Sequence, residues 1–145
     1  MADNLDTTLR FLSTVPMFRQ LDERQLRHIG VRFVRREYAA GEHIVTQGKL
    51  GIGLFIIEKG RAEVIRERND GASVVIDTLG PTSFFGELSL LDDEPRTASV
   101  IAAEPTQCLV LTQLDFMSAL EEDVTVPIAI LKELARRFRR HLEMM

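Results

Sequence analysis

The chain has 145 residues, a length suited to one domain built around one hydrophobic core. With 45% hydrophobic and 28% charged residues it has the composition of a folded globular protein, which excludes disorder along its whole length. A formal net charge of −4 argues against a general nucleic-acid binder, whose footprint would be a basic excess over the domain.

The first residues, MADNLDTT, show no basic region followed by an apolar one, and no apolar run reaches about 18 residues. Neither a signal peptide nor a membrane span is indicated, and a cytoplasmic location is expected. Leu5, Leu9 and Leu12 recur at helical spacing; after the break VPMFRQLD, Leu21, Leu26 and Ile29 resume it, with Asp22 placed to cap a second helix. Near Val31 the pattern turns strand-like. Residues 31–38, the runs HIVTQ, GLFIIEKG, RAEVIRER, SVVIDTLG, ASVIAA and TQCLVLT, and a short segment near Phe84 predict about eight strands. Gly41, Gly48, Gly60, Gly71 and Gly80-Pro81 punctuate them at the spacing of a sandwich or jelly roll. Glu58-Lys59-Gly60-Arg61 reads as one hairpin turn and Asn69-Asp70-Gly71 as another. Cys108 has no second cysteine for an internal disulfide, cannot hold an iron–sulfur cluster, and in the run Cys108-Leu109-Val110-Leu111 reads as a small core residue. Helical spacing returns near Leu114. The organisation is one domain: helices over 1–30, a β-roll over 31–112 and helices over 113–145.

Residues 85–100, FGELSLLDDEPRTASV, interrupt the β zone with helix formers placed after a glycine. They predict one helical turn between two strands. Free backbone N–H groups at the start of such a turn carry partial positive charge and attract anions. Gly86 lets the backbone come close, Arg96 offers a planar fork of donors to phosphate oxygens, and Ala98 is small enough to leave its own N–H accessible. Glu87 beside an anion needs a donor instead, and a ribose hydroxyl supplies one. The plain alternative is a structural ion pair between Glu87 and Arg96 that closes a loop. Asp92-Asp93-Glu94 lacks the alternating ligand spacing of a calcium loop and reads as a solvated turn.

The strings F-G-E-L-S-L-L and P-R-T-A-S-V together resemble the phosphate-binding cassette of the cyclic nucleotide-binding domain family. Val15-Pro16-Met17-Phe18 with Leu21 resembles that family's first helical segment. Gly41-Glu42, Gly48, Leu54-Phe55-Ile56-Ile57 and Gly60-Arg61-Ala62-Glu63-Val64 resemble its early strands, and Ala135-Arg136-Arg137-Phe138 its closing helix. The resemblance implies an eight-stranded antiparallel, jelly-roll-like β-roll with N-terminal helices and a C-terminal lid or dimerisation helix. It implies a ligand, cyclic AMP or, as second choice, cyclic GMP, and no further cofactor. Carried over, Glu87 takes the ribose 2′-hydroxyl, Arg96 the cyclic phosphate, and the backbone of Gly86, Leu88 and Ala98 the remaining oxygens, with Ser89 in the same cassette. Thr97 is either a solvent-facing hydroxyl or a contact to a guanine amino group. His141 and Leu142 stand where the closing helix would meet the base.

Catalysis finds little support. His28, His43 and His141 are scattered, with no H-E-x-x-H and no G-x-S-x-G, so neither a metal site nor a serine nucleophile is predicted. The expectation is a regulatory sensor and not an enzyme. No helix-turn-helix follows the closing helix within the 145 residues, so the output is expected in a partner or in a longer protein of which this is a piece. In that closing helix Ile128, Leu131, Ala135, Phe138, Leu142 and Met145 step by three and four, the spacing of a coiled-coil seam, which predicts a homodimer. Lys132, Arg136, Arg139 and Arg140 lie mostly off the seam as a solvated basic face; an acidic lipid or nucleic acid is the alternative reading of residues 136–141. The alternative to the sensor as a whole is a β-roll interaction or dimerisation module that binds no nucleotide.

Overall fold

The structure is a computed structural model that describes residues 2–49, 53–86 and 96–145. Glu87, Leu88 and Ser89, the helical turn expected after Gly86, and Asp92-Asp93-Glu94 lie outside the described residues. In chain order come α1 (Ala2–Leu12), a 3-10 turn (Pro16–Phe18), α2 (Glu23–Gly30), β1 (Val34–Tyr38), β2 (His43–Val45), β3 (Gly53–Lys59), β4 (Ala62–Glu67), β5 (Ser73–Leu79), β6 (Phe84–Phe85), β7 (Ser99–Ala102), β8 (Thr106–Thr112), α3 (Gln113–Glu122) and α4 (Thr125–Glu143). They fall into two compact units, a β unit of residues 33–116 and a helical unit of residues 1–32 with 117–145.

The β unit is an antiparallel roll of two four-stranded sheets, ordered β1-β8-β3-β6 and β2-β7-β4-β5. Alternation along each strand sends one set of side chains into the space between the sheets. There Ile44, Phe55, Ile57, Ala62, Leu79, Phe85, Val100, Ala102, Cys108 and Val110 form one buried cluster. β3 and β8 are buried on their other side chains too, at Leu54, Ile56, Leu109 and Leu111, which explains why GLFII and CLVL read as unbroken apolar runs. Cys108 is a core residue as expected, and burial pushes its thiol up to about 12. Near one end of the sheet, Arg35 on β1 meets Glu58 on β3 with a two-pronged contact of 2.8 and 3.0 Å, and Gln107 on β8 donates to the same carboxylate at 2.6 Å. The Arg35 hydrogen bond holds the Glu58 carboxyl below the usual carboxylate range.

Two sequence expectations need correcting. Glu58-Lys59-Gly60-Arg61 is not a hairpin: β3 pairs with β8 and β6, while β4 pairs with β5 and β7, so the turn is a corner that carries the chain from one sheet to the other. Gly60 has φ 96°, and a Cβ there would lie 2.5 Å from the Pro105 carbonyl oxygen and 2.7 Å from Thr106 Cα, so the corner needs glycine. Val31 does not open a strand either; it closes α2 as its C-cap, and β1 starts at Val34. The turn at Asn69-Asp70-Gly71 is a true hairpin between β4 and β5, with Arg68 N donating to Ala72 O at 2.8 Å and Gly71 at φ 86°.

In the helical unit the Asp22 cap is realised as a full capping box, in which Gln25 N donates to the Asp22 carboxylate and Asp22 N to Gln25 Oε1. Met17 and Phe18 of the 3-10 turn are buried, and the turn packs on α4. α4 turns Val126, Ala129, Ile130 and Glu133 inward. Arg136 and Arg140 approach the buried Glu133 carboxylate at 3.3 and 3.6 Å, so part of the basic run is neutralised on its own helix. The heptad stripe lies in solvent: Ile128 is 48%, Leu131 63%, Phe138 64% and Leu142 51% exposed. Among the described residues no helix is long and apolar enough to cross a membrane.

Candidate functional site

β6 ends at Phe85 and the chain resumes its next described strand at Ser99, so Gly86 and Arg96 bracket the interruption that the sequence placed at residues 85–100. The Arg96 backbone is fixed by two hydrogen bonds of 2.8 Å to the segment after β2: Arg96 N donates to Lys49 O, and Gly48 N to Arg96 O. One step away Gln47 N donates to Ser99 Oγ at 2.9 Å. This short ladder continues the β2–β7 pairing past its end.

The side chain is as constrained as the backbone. Arg96 is only 7% exposed. Its Nη2 donates to Gly53 O at 3.2 Å, and its Cζ lies 5.9 Å from the centre of the Phe55 ring. Phe55 in turn stacks on Phe85, its cross-strand partner, with ring centres 5.2 Å apart and planes within 5°. Gly86 has φ 95°, a conformation that suits glycine, and a Cβ there would sit 2.6 Å from both Arg96 Nη1 and Gly53 O. The glycine therefore does two things at once: it permits the turn and leaves the guanidinium its room. A guanidinium keeps its charge at any working pH, and burial makes that charge costly unless acceptors or anions meet it.

Of the other residues singled out in the sequence, Thr97 is exposed and Ala98 half-buried, directly after Arg96. His141 and Leu142 belong to the helical unit, where both are exposed near the end of α4. Gly86, Arg96, Thr97 and Ala98 are thus gathered in the β unit.

Residues 35–123 match the family model for the cyclic nucleotide-binding domain. The chain belongs to that family. The cyclic nucleotide-binding domain is 36% identical over 107 residues to the cyclic AMP receptor protein of Thermus thermophilus, a match covering 74% of this chain and 50% of that protein. Over 97 residues it is 40% identical to the cAMP-dependent protein kinase regulatory subunit of Mycosarcoma maydis, covering 67% of this chain and 18% of that one. The crystal structure of Thermus thermophilus catabolite activator protein superposes with a TM-score of 0.81 at 34% identity, over 89% of this chain and 61% of the other. The N-terminal domain of a transcriptional regulator from Streptomyces coelicolor A3(2) gives 0.77 at 30% identity, over 93% of this chain and 94% of the other. The chain spans half or less of the length of these two curated relatives, whose names are those of regulatory proteins. Gly86, Arg96, Thr97 and Ala98 fall inside the segment matched by the family model, and His141 and Leu142 outside it.

Reading the sequence missed Gly53, Phe55 and the Gly48-Lys49 pair as parts of this site. Gly53 and Phe55 looked like ordinary members of a buried strand. Gly48 carried one local signal, a glycine between two strand-like runs, but its partner lies 48 residues further along the chain.

Proposed function

We propose that this domain is a sensor that binds a cyclic nucleotide, cyclic AMP in preference to cyclic GMP, has no chemistry of its own, and signals through its C-terminal helix. The observation that carries the reading is the buried Arg96 guanidinium, held by Gly53 O and given its space by Gly86, within the segment that matches the family. Arg96 takes the cyclic phosphate, Glu87 the ribose 2′-hydroxyl, and the backbone of Gly86, Leu88 and Ala98 the remaining oxygens, with Ser89 a further ligand-binding residue of the same cassette. The preference for adenine is supported by the names of the two curated relatives, a cyclic AMP receptor protein and a cAMP-dependent kinase regulatory subunit. Thr97 is exposed and stays the candidate for a guanine contact, and His141 and Leu142 the candidates for meeting the base. The whole chain, 1–145, acts as one such domain and pairs as a homodimer through the exposed stripe of α4. The output partner is another protein or another segment joined to this one.

The test is a calorimetric titration. Wild type should bind cyclic AMP, and Arg96→Ala should lose it, because removing one partner of a buried charged contact costs on the order of 2–5 kcal/mol, or roughly 30- to 4000-fold in affinity. A 2′-deoxy cyclic nucleotide should bind wild type poorly, while Glu87→Gln should scarcely distinguish it from the parent ligand. Wild-type affinity in Arg96→Ala, or full discrimination in Glu87→Gln, contradicts the assignment.

A further inference from the structure

We infer that Phe55 is a positioning residue for the anion-binding guanidinium: its ring is the platform that holds Arg96 in the orientation in which its fork meets an anion. The inference rests on the reading of Arg96 as the phosphate ligand and extends it to a residue that makes no contact with ligand. Among the described residues, three features bound the Arg96 side chain: the Gly53 carbonyl oxygen on one edge, the space that Gly86 leaves beside Nη1 by lacking a Cβ, and the Phe55 ring. The first two constrain the rim of the guanidinium. The Phe55 ring presents its face to the guanidinium, and at 5.9 Å from centroid to Cζ it is within the range of a cation–π contact.

The platform is itself immobile. Phe55 is 2% exposed, sits mid-strand on β3 with Val110 opposite it on β8 and Phe85 opposite it on β6, and stacks on the Phe85 ring. A leucine would fill much of the same volume but would lose both the stack on Phe85 and the ring face toward Arg96. The ring adds a negative face for a buried cation and a flat surface that limits how its plane can turn. A cation fixed before the ligand arrives loses less side-chain freedom on binding, and that saving appears as affinity.

The experiment replaces Phe55 by phenylalanines carrying one, two and three ring fluorines, which keep the ring's shape while draining the negative charge from its face. Two readouts are taken. In the ligand-free protein, NMR of the Arg96 Nε–H group should show a ring-current displacement that persists in the fluorinated series and disappears in Phe55→Leu. Calorimetry with cyclic AMP should then show affinity falling stepwise with each fluorine, by about 3- to 10-fold at three, with unfolding temperature nearly constant. Affinity that is flat across the fluorine series, or an Arg96 signal unchanged in Phe55→Leu, would overturn the inference and leave Phe55 as a core residue. If wild type binds neither cyclic AMP nor cyclic GMP, the functional reading fails for every variant alike. The ligand-free signal still decides whether Phe55 holds Arg96.

Discussion

Residue-scale features divide into those that serve the site and those that serve the fold, and Thr82 tests the boundary between them. It has φ 75°, the one non-glycine residue with positive φ among the described residues, and it is β-branched, the worst type for that region. It is held there because Thr82 N donates to Ile57 O at 2.9 Å and Ser83 N to Gly80 O at 3.0 Å, closing the turn that delivers β6 and Gly86. Such strain costs roughly 1–3 kcal/mol, and the extra entropy of an unfolded glycine takes back about 0.5–1. Thr82→Gly should therefore stabilise the protein by about 1 kcal/mol, a rise of about 4 °C in unfolding temperature. An unchanged or lower melting point in calorimetric scans would show that the turn is not strained. Glu58 gives a second residue-scale test. Its folded-state carboxyl titrates below the usual range, first because of the Arg35 hydrogen bond, so it contributes stability that is complete above the unfolded value of about 4.3 and is lost as pH falls through the folded value. Glu58→Gln should lose less stability than wild type between pH 5 and pH 3, at about those two bounds, in denaturant melts. Parallel losses would assign the acid sensitivity to other carboxylates. Burial of Cys108 acts at the other extreme: its stabilisation is complete below about pH 8.5, the unfolded thiol value, and fades as pH rises toward its folded value of about 12.

At the scale of elements, what could be read in advance depended on how local the cause was. The α2 cap was legible because Asp22 and Gln25 are three residues apart and each satisfies the other. The six strand-like runs from HIVTQ to TQCLVLT were legible because Val, Ile and Thr gather between glycines and fit a pleated, half-buried surface. The corner at Glu58-Lys59-Gly60-Arg61 was misread because a hairpin and a sheet-switching corner share the same turn residues. Only the distant pairing with Thr112, Leu111 and Val110 of β8 separates them. The Arg96 ladder to Gly48 and Lys49 was invisible for the same reason, while the arginine itself stood out by its motif. The spacing of the α4 stripe was legible, but its exposure was not. Four large apolar side chains of that stripe are about half or more exposed, and another α4 would cover them in a coiled-coil seam. Burying a side chain such as Phe138 contributes roughly 1.5–3 kcal/mol, and a two-fold interface counts it twice. Phe138→Glu should give monomers and Arg139→Glu should not, by light scattering over a concentration series. A wild type that stays monomeric at about 100 μM with and without cyclic AMP would refute the pairing.

At the scale of the whole molecule, the proposed reading is that a sandwich with its own core carries the buried Arg96 guanidinium between β6 and β7, and that an anionic ligand binds there. Binding and folding are then linked, since a ligand that binds only the folded chain stabilises it by an amount fixed by its concentration and affinity. If α4 also pairs more tightly in the liganded state, reciprocity requires that pairing raise ligand affinity by the same factor, so one equilibrium would report the other. The most direct measurement of the central claim is thermal or denaturant unfolding of the wild type and of Arg96→Ala with and without cyclic AMP. At 100 times the dissociation constant the account predicts a gain of roughly 2.7 kcal/mol for wild type and none for Arg96→Ala at the same ligand concentration. A wild type whose stability does not move, or a variant that gains as much as wild type, would contradict it.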